Sequence, residues 1–106
     1  MEFVITGVWF EHTPFRSKHI SHVLLNKVIN DKIEKGIKES ELYVIGLLDL
    51  NYTIHTCLWD YKNSGWIKGA LVTDEQIGLH RNLRTVRNSK VTDNLDNLIN
   101  MQSFPI

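Results

Sequence analysis

His55 and Cys57 are the two residues whose types and spacing could support catalysis. They lie two residues apart in a segment, residues 52–61, that is rich in β-branched and aromatic residues and predicts a strand. Side chains two apart on a strand share a face, and a histidine beside a cysteine can generate a thiolate nucleophile. The sequence shows neither electropositive surroundings nor a third group to orient the histidine. A lone cysteine in a strand is more often a small buried apolar residue.

A metal site is the second kind of chemistry that the histidines suggest. His19 and His22 are three apart on a predicted strand, so their side chains point to opposite faces and cannot share one ion without a bulge. His12 and His80 would have to converge with them through the fold. Cysteine-rich zinc sites are excluded because the chain has one cysteine, and residues 93–97 lack the glycine and the ligand number of a calcium loop. We therefore expect no metal and no other cofactor.

The most informative surface feature is a basic segment that follows an aromatic hairpin. Residues 79–90 contain no acidic residue and carry Arg81, Arg84, Arg87 and Lys90. The preceding hairpin carries Trp59, Tyr61 and Trp66. Arginines and aromatic rings together grip single-stranded RNA, by phosphate contact and base stacking, and they also form hot spots in protein interfaces. The alternative is a solvated strand with scattered charge, with the aromatic side chains in the core.

Composition and charge restrict the classes of function. The chain has 106 residues, of which 42% are hydrophobic and 23% charged, which is typical of one globular domain spanning residues 1–106. Twelve basic residues balance twelve acidic ones, so the formal net charge is zero. A protein that binds DNA without sequence preference is normally basic, because phosphate neutralisation supplies most of its affinity. The zero net charge therefore weighs against an electrostatic field strong enough to attract nucleic acid.

The start of the chain and its hydropathy indicate location. Residues 1–6 have no basic start and no long apolar run, so they predict a strand rather than a signal peptide. No apolar stretch approaches the ~20 residues that a bilayer-spanning helix needs. We expect a cytoplasmic protein without membrane contact.

A predicted series of strands, interrupted by one helix, must position these residues. Strands are predicted at residues 3–10 and 19–25, joined by a loop of about six residues, and the first is apolar on both faces. Ser40 is a good N-cap for a helix over residues 41–50, with Leu42, Ile45 and Leu48 on one stripe. Residues 27–38 are left open. They carry isoleucines at helical spacing, but Gly36 and the flanking lysines weaken a helix.

The second half of the chain predicts three more strands. These are residues 52–61, 66–73 and 79–86, separated by turns at 63–65 and 74–78. With a loop of two or four residues, Tyr61 would stand opposite Trp66 and the two rings could stack across the hairpin. Thr92 can cap a last helical turn whose apolar side holds Leu95, Leu98 and Ile99. The expected fold is α+β: a mainly antiparallel sheet of about five strands, one helix packed on one face, and a short C-terminal helical turn.

Six short blocks occur in an order that resembles a known bacterial family. They are Val-Ile-Thr-Gly-Val at 4–8, His-Ile-Ser-His-Val at 19–23, Thr-x-x-Trp-x-Tyr at 56–61, Trp-x-Lys-Gly-Ala-x-Val at 66–72, Leu-Arg-Thr at 83–85, and Asp-Asn-Leu-Asp-Asn-Leu at 93–98. The series is similar to the family known as domain of unknown function 3892, particularly its Bacteroidetes-like versions, and covers nearly the whole chain. The resemblance implies a fold unit and no reaction.

Three functional hypotheses follow. The leading one is a non-catalytic binding module that occupies a larger protein or ribonucleoprotein, with RNA contact possible and no small-molecule substrate evident. Its concrete form is an inhibitor of a bacterial defence system, of the anti-CRISPR type found in phages and prophages, that binds a nuclease or its guide RNA. The second is a small enzyme that uses Cys57 and His55. The third is a housekeeping structural or RNA-binding module.

Overall fold

Residues 2–14, 16–60, 62–86, 95 and 98–101 are described by the structure, which is a computed structural model. Within these residues the chain forms eight strands and one helix. They are β1 (Glu2–Thr13), β2 (Arg16–Ile29), β3 (Lys32–Ile33), β4 (Ile37–Ser40), α1 (Glu41–Asp49), β5 (Thr53–Asp60), β6 (Gly65–Ile77), β7 (His80–Thr85) and β8 (Ile99–Asn100).

Strand β1 is the centre of the sheet. One of its edges pairs antiparallel with β2 from Glu2 to Thr13. Its other edge pairs in parallel first with β5, up to Ile5, and then with β8 at Gly7 and Val8. Residues 3–9 are all buried, which confirms the expectation of a strand covered on both faces. The sheet order is β3-β2-β1-β5-β6-β7, with β4 pairing β2 and β8 pairing β1.

The sheet is mixed, so the expectation of a mainly antiparallel sheet of about five strands is wrong. Helix α1 connects β4 to β5 and carries the chain across the sheet, so β5 lies beside β1 in the same direction. Such a crossover produces parallel neighbours, whereas a tight turn produces antiparallel ones. The parallel pairing with β8 was also missed, because two residues are too few to show a periodic pattern.

The predicted helix is confirmed, with a one-residue difference at its end. Its predicted apolar stripe is wrong at Leu42, which is 78% exposed. The Ser40 hydroxyl caps the helix by accepting a hydrogen bond of 3.1 Å from the Tyr43 backbone N–H. Val44 and Ile45 are buried against the sheet and belong to one core cluster with residues of β1, β2, β5, β6 and β7. Leu95 is buried in the same cluster. This helix is too short to cross a membrane, and none of the described residues form one that could.

Other predictions on the chain need correction. Thr13 pairs with Arg16, so the first hairpin turn is shorter than six residues and its strands are longer. Residues 27–38, which the sequence left open, form the end of β2, then β3 and the start of β4. The predicted turn at 74–78 is mostly strand, because β6 continues to Ile77 and the chain turns at Gly78, whose φ of 62° favours glycine.

The C-terminal prediction is confirmed only in part. Leu95 and Leu98 are buried, and the Leu98 N–H donates to the Leu95 carbonyl at 3.2 Å, as in one turn of a 3₁₀ helix. Ile99 begins β8 instead of extending that turn. The proposed cap, Thr92, lies outside the described residues.

Candidate functional site

The sheet presents two faces, and the candidate site residues divide between them. The inner face packs on α1 and includes Phe3, Ile54, Val72 and Leu83. Strand residues alternate between faces, so Glu2, His55 and Arg84 lie on the opposite side. We call that side the outer face.

A β-bulge sets which residues of β6 belong to the outer face. His55 pairs with Leu71 and Cys57 with Lys68, so two residues of β6 stand opposite Thr56 alone. Leu71 and Lys68 therefore lie on the same face although they are three residues apart. The bulge is held by a hydrogen bond of 2.9 Å that the Ala70 N–H donates to the buried Thr56 hydroxyl.

Arg81 lies on the inner side of β7, where it binds carboxylates of its own chain. Its Nη1 and Nη2 donate to the two carboxylate oxygens of Asp49, at 2.9 and 2.8 Å. Its Nε donates to Asp74 at 2.8 Å. These hydrogen bonds raise the pKa of Arg81 above its ordinary value, and the hydrogen bond from Arg81 lowers the pKa of Asp49. The guanidinium therefore joins the end of α1 to β6 and β7.

Arg84 lies on the outer face of β7, opposite Thr73. Its Nη1 is 3.4 Å from a carboxylate oxygen of Glu75, and both side chains are about half exposed. An ion pair in this setting is worth little, because water and salt screen it. Glu75 therefore holds this guanidinium only weakly.

The predicted strand is confirmed as β7, but Arg81 and Arg84 do not form a single basic surface on it. Arg81 and Arg84 are three apart on β7 and lie on opposite faces, as expected for a strand. The segment itself lacks acids, and the acids that pair with it come from α1 and β6. Arg87 and Lys90 lie outside the described residues.

Trp66 is exposed, with 44% of its surface accessible. It is the aromatic residue of the predicted site whose side chain the structure describes. In the register of the hairpin, Trp59 and not Tyr61 stands opposite Trp66, because Asp60, the last residue of β5, pairs with Gly65. The Trp59 side chain and all of Tyr61 lie outside the part of the chain that the structure describes. Along β6, Trp66 is seven residues from the position opposite Arg84, or roughly 23 Å at ~3.3 Å per residue.

His55 and Cys57 share the outer face, as the sequence predicted, beside an ion pair between Lys68 and Glu2. His55 Nδ1 is buried, makes no hydrogen bond within the described part of the chain, and lies 3.6 Å from a Glu2 oxygen. Burial and the charge of Lys68 lower the pKa of His55, while burial raises the pKa of the Cys57 thiol. Both shifts favour the neutral side chains. This environment opposes formation of the thiolate that a nucleophilic cysteine requires.

Metal binding finds no support in the geometry of the described residues. Among them, no three side chains of histidine, cysteine, aspartate or glutamate are arranged to hold an ion. His19 instead has Glu11 at 3.8 Å, and His22 Nδ1 lies 3.1 Å from the Ser21 hydroxyl.

An apolar groove beside α1 was not predicted from the sequence. It has a volume of about 440 Å³ and an apolar lining formed by Phe3, Leu25, Ile29, Ile37 and Tyr43. We call it the α1 groove. The isoleucines at 29 and 37 were the available signal, but their spacing suggested a helix. In the structure Ile29 lies on β2 and Ile37 on β4, and these strands pair at residues 22–25 and 37–40. The chain reversal between β2 and β4 therefore brings the two isoleucines to the same groove.

In comparisons with known proteins, the chain matches no family model, no curated protein and no solved structure. The resemblance to the family known as domain of unknown function 3892 is neither supported nor contradicted by these comparisons, and it stays a prediction.

Proposed function

We propose that this protein is a non-catalytic binding module that acts by occupying a larger partner through the outer face. The observation that carries the proposal is the exposure of Trp66, Leu71 and Arg84 on that single face. Tryptophan and arginine are the residue types most often found as hot spots, and they act best where apolar neighbours exclude water. Leu71, 42% exposed between them along β6, supplies such a neighbour.

A cavity on the outer face supports the same proposal. Trp66 and Lys68 border it, Cys57 and Val4 contribute to its lining, and its volume is about 160 Å³. At about 30 Å³ per water in the liquid, that is space for about five waters, or for one inserted side chain. An anchor residue of a partner that fills this cavity would gain apolar contact without moving the sheet.

The proposed contact set is narrower than the basic segment suggested by the sequence. Arg81 is removed from it, because three hydrogen bonds tie its guanidinium to Asp49 and Asp74 on the inner side. Arg84 and Trp66 remain, with Leu71 added. The contributions of Trp59, Tyr61, Arg87 and Lys90 remain part of the proposal, to be tested by substitution.

The narrower form of the proposal is an inhibitor of a bacterial defence nuclease, of the anti-CRISPR type. What supports it is class analogy: a small domain with an aromatic and arginine-bearing surface suits a nuclease or its guide RNA. The balanced charge favours the protein component over the RNA as the main contact.

The test is capture from a bacterial lysate with tagged protein, with and without ribonuclease. The variant Trp66→Ala/Arg84→Glu should lose the captured partner, whereas Lys32→Glu, an exposed charge reversal on β3, should retain it. Capture that resists ribonuclease identifies a protein contact, and capture that ribonuclease abolishes identifies RNA. Melting curves establish that each variant is folded. Full retention by the folded double variant would remove the outer face from the interface.

A nuclease assay distinguishes the narrower form. If the captured partner is a guide-loaded nuclease, the wild-type protein should inhibit its cleavage at concentrations that saturate binding, and Trp66→Ala/Arg84→Glu should not. Binding without any effect on cleavage would refute inhibition while leaving the binding module intact.

A further inference from the structure

The α1 groove continues into an apolar helix surface, and together they form a patch larger than either. Tyr43 lines the groove, and its neighbour Leu42 is 78% exposed on α1. Leu50, directly after the helix, is 70% exposed, and Ile37 at the other side of the groove is 60% exposed. Residues 42, 46 and 50 follow one another at helical spacing, so they form one row on the outward side.

The charges of α1 do not interrupt this patch. The two charged residues of the helix are Glu41 and Asp49. Glu41 is buried, where its carboxylate accepts the Leu83 N–H, and Asp49 is bound by Arg81. A helix that is apolar all round is normally covered on all sides. Here the outward side is exposed at Leu42, Tyr43 and Leu50, and a contiguous exposed apolar patch is typical of an interaction surface.

The charges around the α1 groove restrict the kind of molecule that could bind there. Its rim carries two lysines and two glutamates, namely Lys27, Lys35, Glu34 and Glu39. A polyanion such as RNA would be repelled by the glutamates, and a strongly acidic or basic peptide would find half of the rim unfavourable. A surface that meets its own copy across a two-fold axis must be complementary to itself, which a rim of balanced charge satisfies. The zero net charge of the chain adds no long-range repulsion between copies.

We propose that the α1 groove and the outward side of α1 form a self-association surface that seats a second copy of this chain. Two-fold dimers are the commonest closed assemblies, and apolar patches with a polar rim are typical of their interfaces. The surface lies on the opposite side of the sheet from Trp66 and Arg84. Self-association is therefore independent of the partner contact proposed for the outer face, and a dimer would present that face twice.

The test measures molar mass by sedimentation equilibrium over a range of concentrations. Wild-type protein should show a monomer–dimer equilibrium, and Ile37→Glu should shift it to monomer, with a dissociation constant at least about tenfold higher, equivalent to ~1.4 kcal/mol. Arg84→Glu serves as the matched control, because it changes a charge on the outer face and should leave the equilibrium unchanged. A wild-type chain that remains monomeric at the highest concentrations would overturn the proposal.

Charge exchange provides a second test that does not depend on the detailed contacts. Lys35→Glu changes the rim charge from zero to −2, and Glu39→Lys changes it to +2, so each variant should repel its own copy. Mixing the two variants should restore association as a heterodimer, and added salt should weaken that rescue. Absence of rescue from two folded, monomeric variants would refute the charged rim as part of the interface.

Discussion

The guanidinium of Arg81 holds the carboxylate of Asp49 through two hydrogen bonds, of 2.8 and 2.9 Å, between strand β7 and the last residue of helix α1. A carboxylate at that end of a helix is unfavourable, because the helix dipole places negative partial charge there. Arg81 offsets this charge and also reaches Asp74 of β6. The ion pair therefore fastens the end of the crossover helix to the edge of the sheet.

Removing the cation should destabilise the protein more than removing the anion. Arg81→Gln leaves Asp49 unpaired against the helix dipole and Asp74 without its donor, so its melting temperature should fall. Asp49→Asn loses the same ion pair but relieves the dipole, so its melting temperature should fall less. Melting curves at low and high salt measure both effects, and the loss in each variant should shrink as salt screens the charges. A larger loss for Asp49→Asn would contradict this account.

The contribution of Asp49 to the stability of the folded protein should decrease at low pH. Its folded pKa is lowered from 3.8 by the hydrogen bond from Arg81, so the unfolded chain binds the proton more tightly. The stabilisation is therefore fully present above pH 3.8 and is lost as the pH falls through the lowered folded value. The stability difference between wild type and Asp49→Asn should disappear below that pH. A difference that persists there would assign the effect to packing.

Two glycines should respond oppositely to alanine. A Cβ on Gly36 would lie 2.6 Å from Leu24 Cγ and 2.9 Å from Asn26 Nδ2, so Gly36→Ala should destabilise the protein by about 1–3 kcal/mol. A Cβ on Gly46 meets nothing within 4 Å, so Gly46→Ala should stabilise α1 by about 0.5–1 kcal/mol. Denaturant unfolding of dilute protein measures both changes. Equal tolerance at the two positions would show that the β3–β4 connection adjusts freely.

The bulge opposite Thr56 should depend on its hydroxyl. Thr56→Val keeps the shape but leaves the Ala70 N–H unpaired in a buried position, at a cost of about 1–3 kcal/mol. Thr56→Ser keeps the acceptor and loses one methyl. Hydrogen exchange of the Ala70 amide should accelerate in the valine variant and stay slow in the serine variant. Slow exchange in both would indicate another acceptor for this N–H.

Cys57 should react slowly in the folded protein. It is 2% exposed, and burial raises the pKa of its thiol, so little thiolate is available near neutral pH. Alkylation by iodoacetamide should accelerate strongly in denaturant, because unfolding exposes the thiol. Rapid, stoichiometric alkylation of the native protein would revive the hypothesis of an enzyme that uses Cys57 and His55.

Local patterns were sufficient for the elements whose periodicity is strong. Ser40 and the apolar stripe that follows it predicted α1, and the β-branched runs predicted most of β1, β5 and β7. The same strand periodicity places Arg81 and Arg84 on opposite faces of β7. Each of these inferences depends only on residues close together in the chain.

What was missed depends on residues distant in sequence. The partners of Arg81 come from α1 and β6, and no local pattern of residues 79–90 reveals them. The placement of Leu71 on the outer face follows from a bulge, which shifts the alternation of β6 by one residue. The parallel pairing of β1 likewise arises from the crossover and not from any property of β1 itself.

The pairing of β1 also has a consequence for synthesis on the ribosome. Its edge is completed by residues 53–56 and then by Ile99 and Asn100, which follow the end of β1 at Thr13 by more than eighty positions. At about 5–20 residues per second, that edge stays open for several seconds in the nascent chain. During this interval the apolar residues of β1 are available to other strands or to chaperones, so this protein should depend more on chaperone protection during translation than a helical domain of equal size.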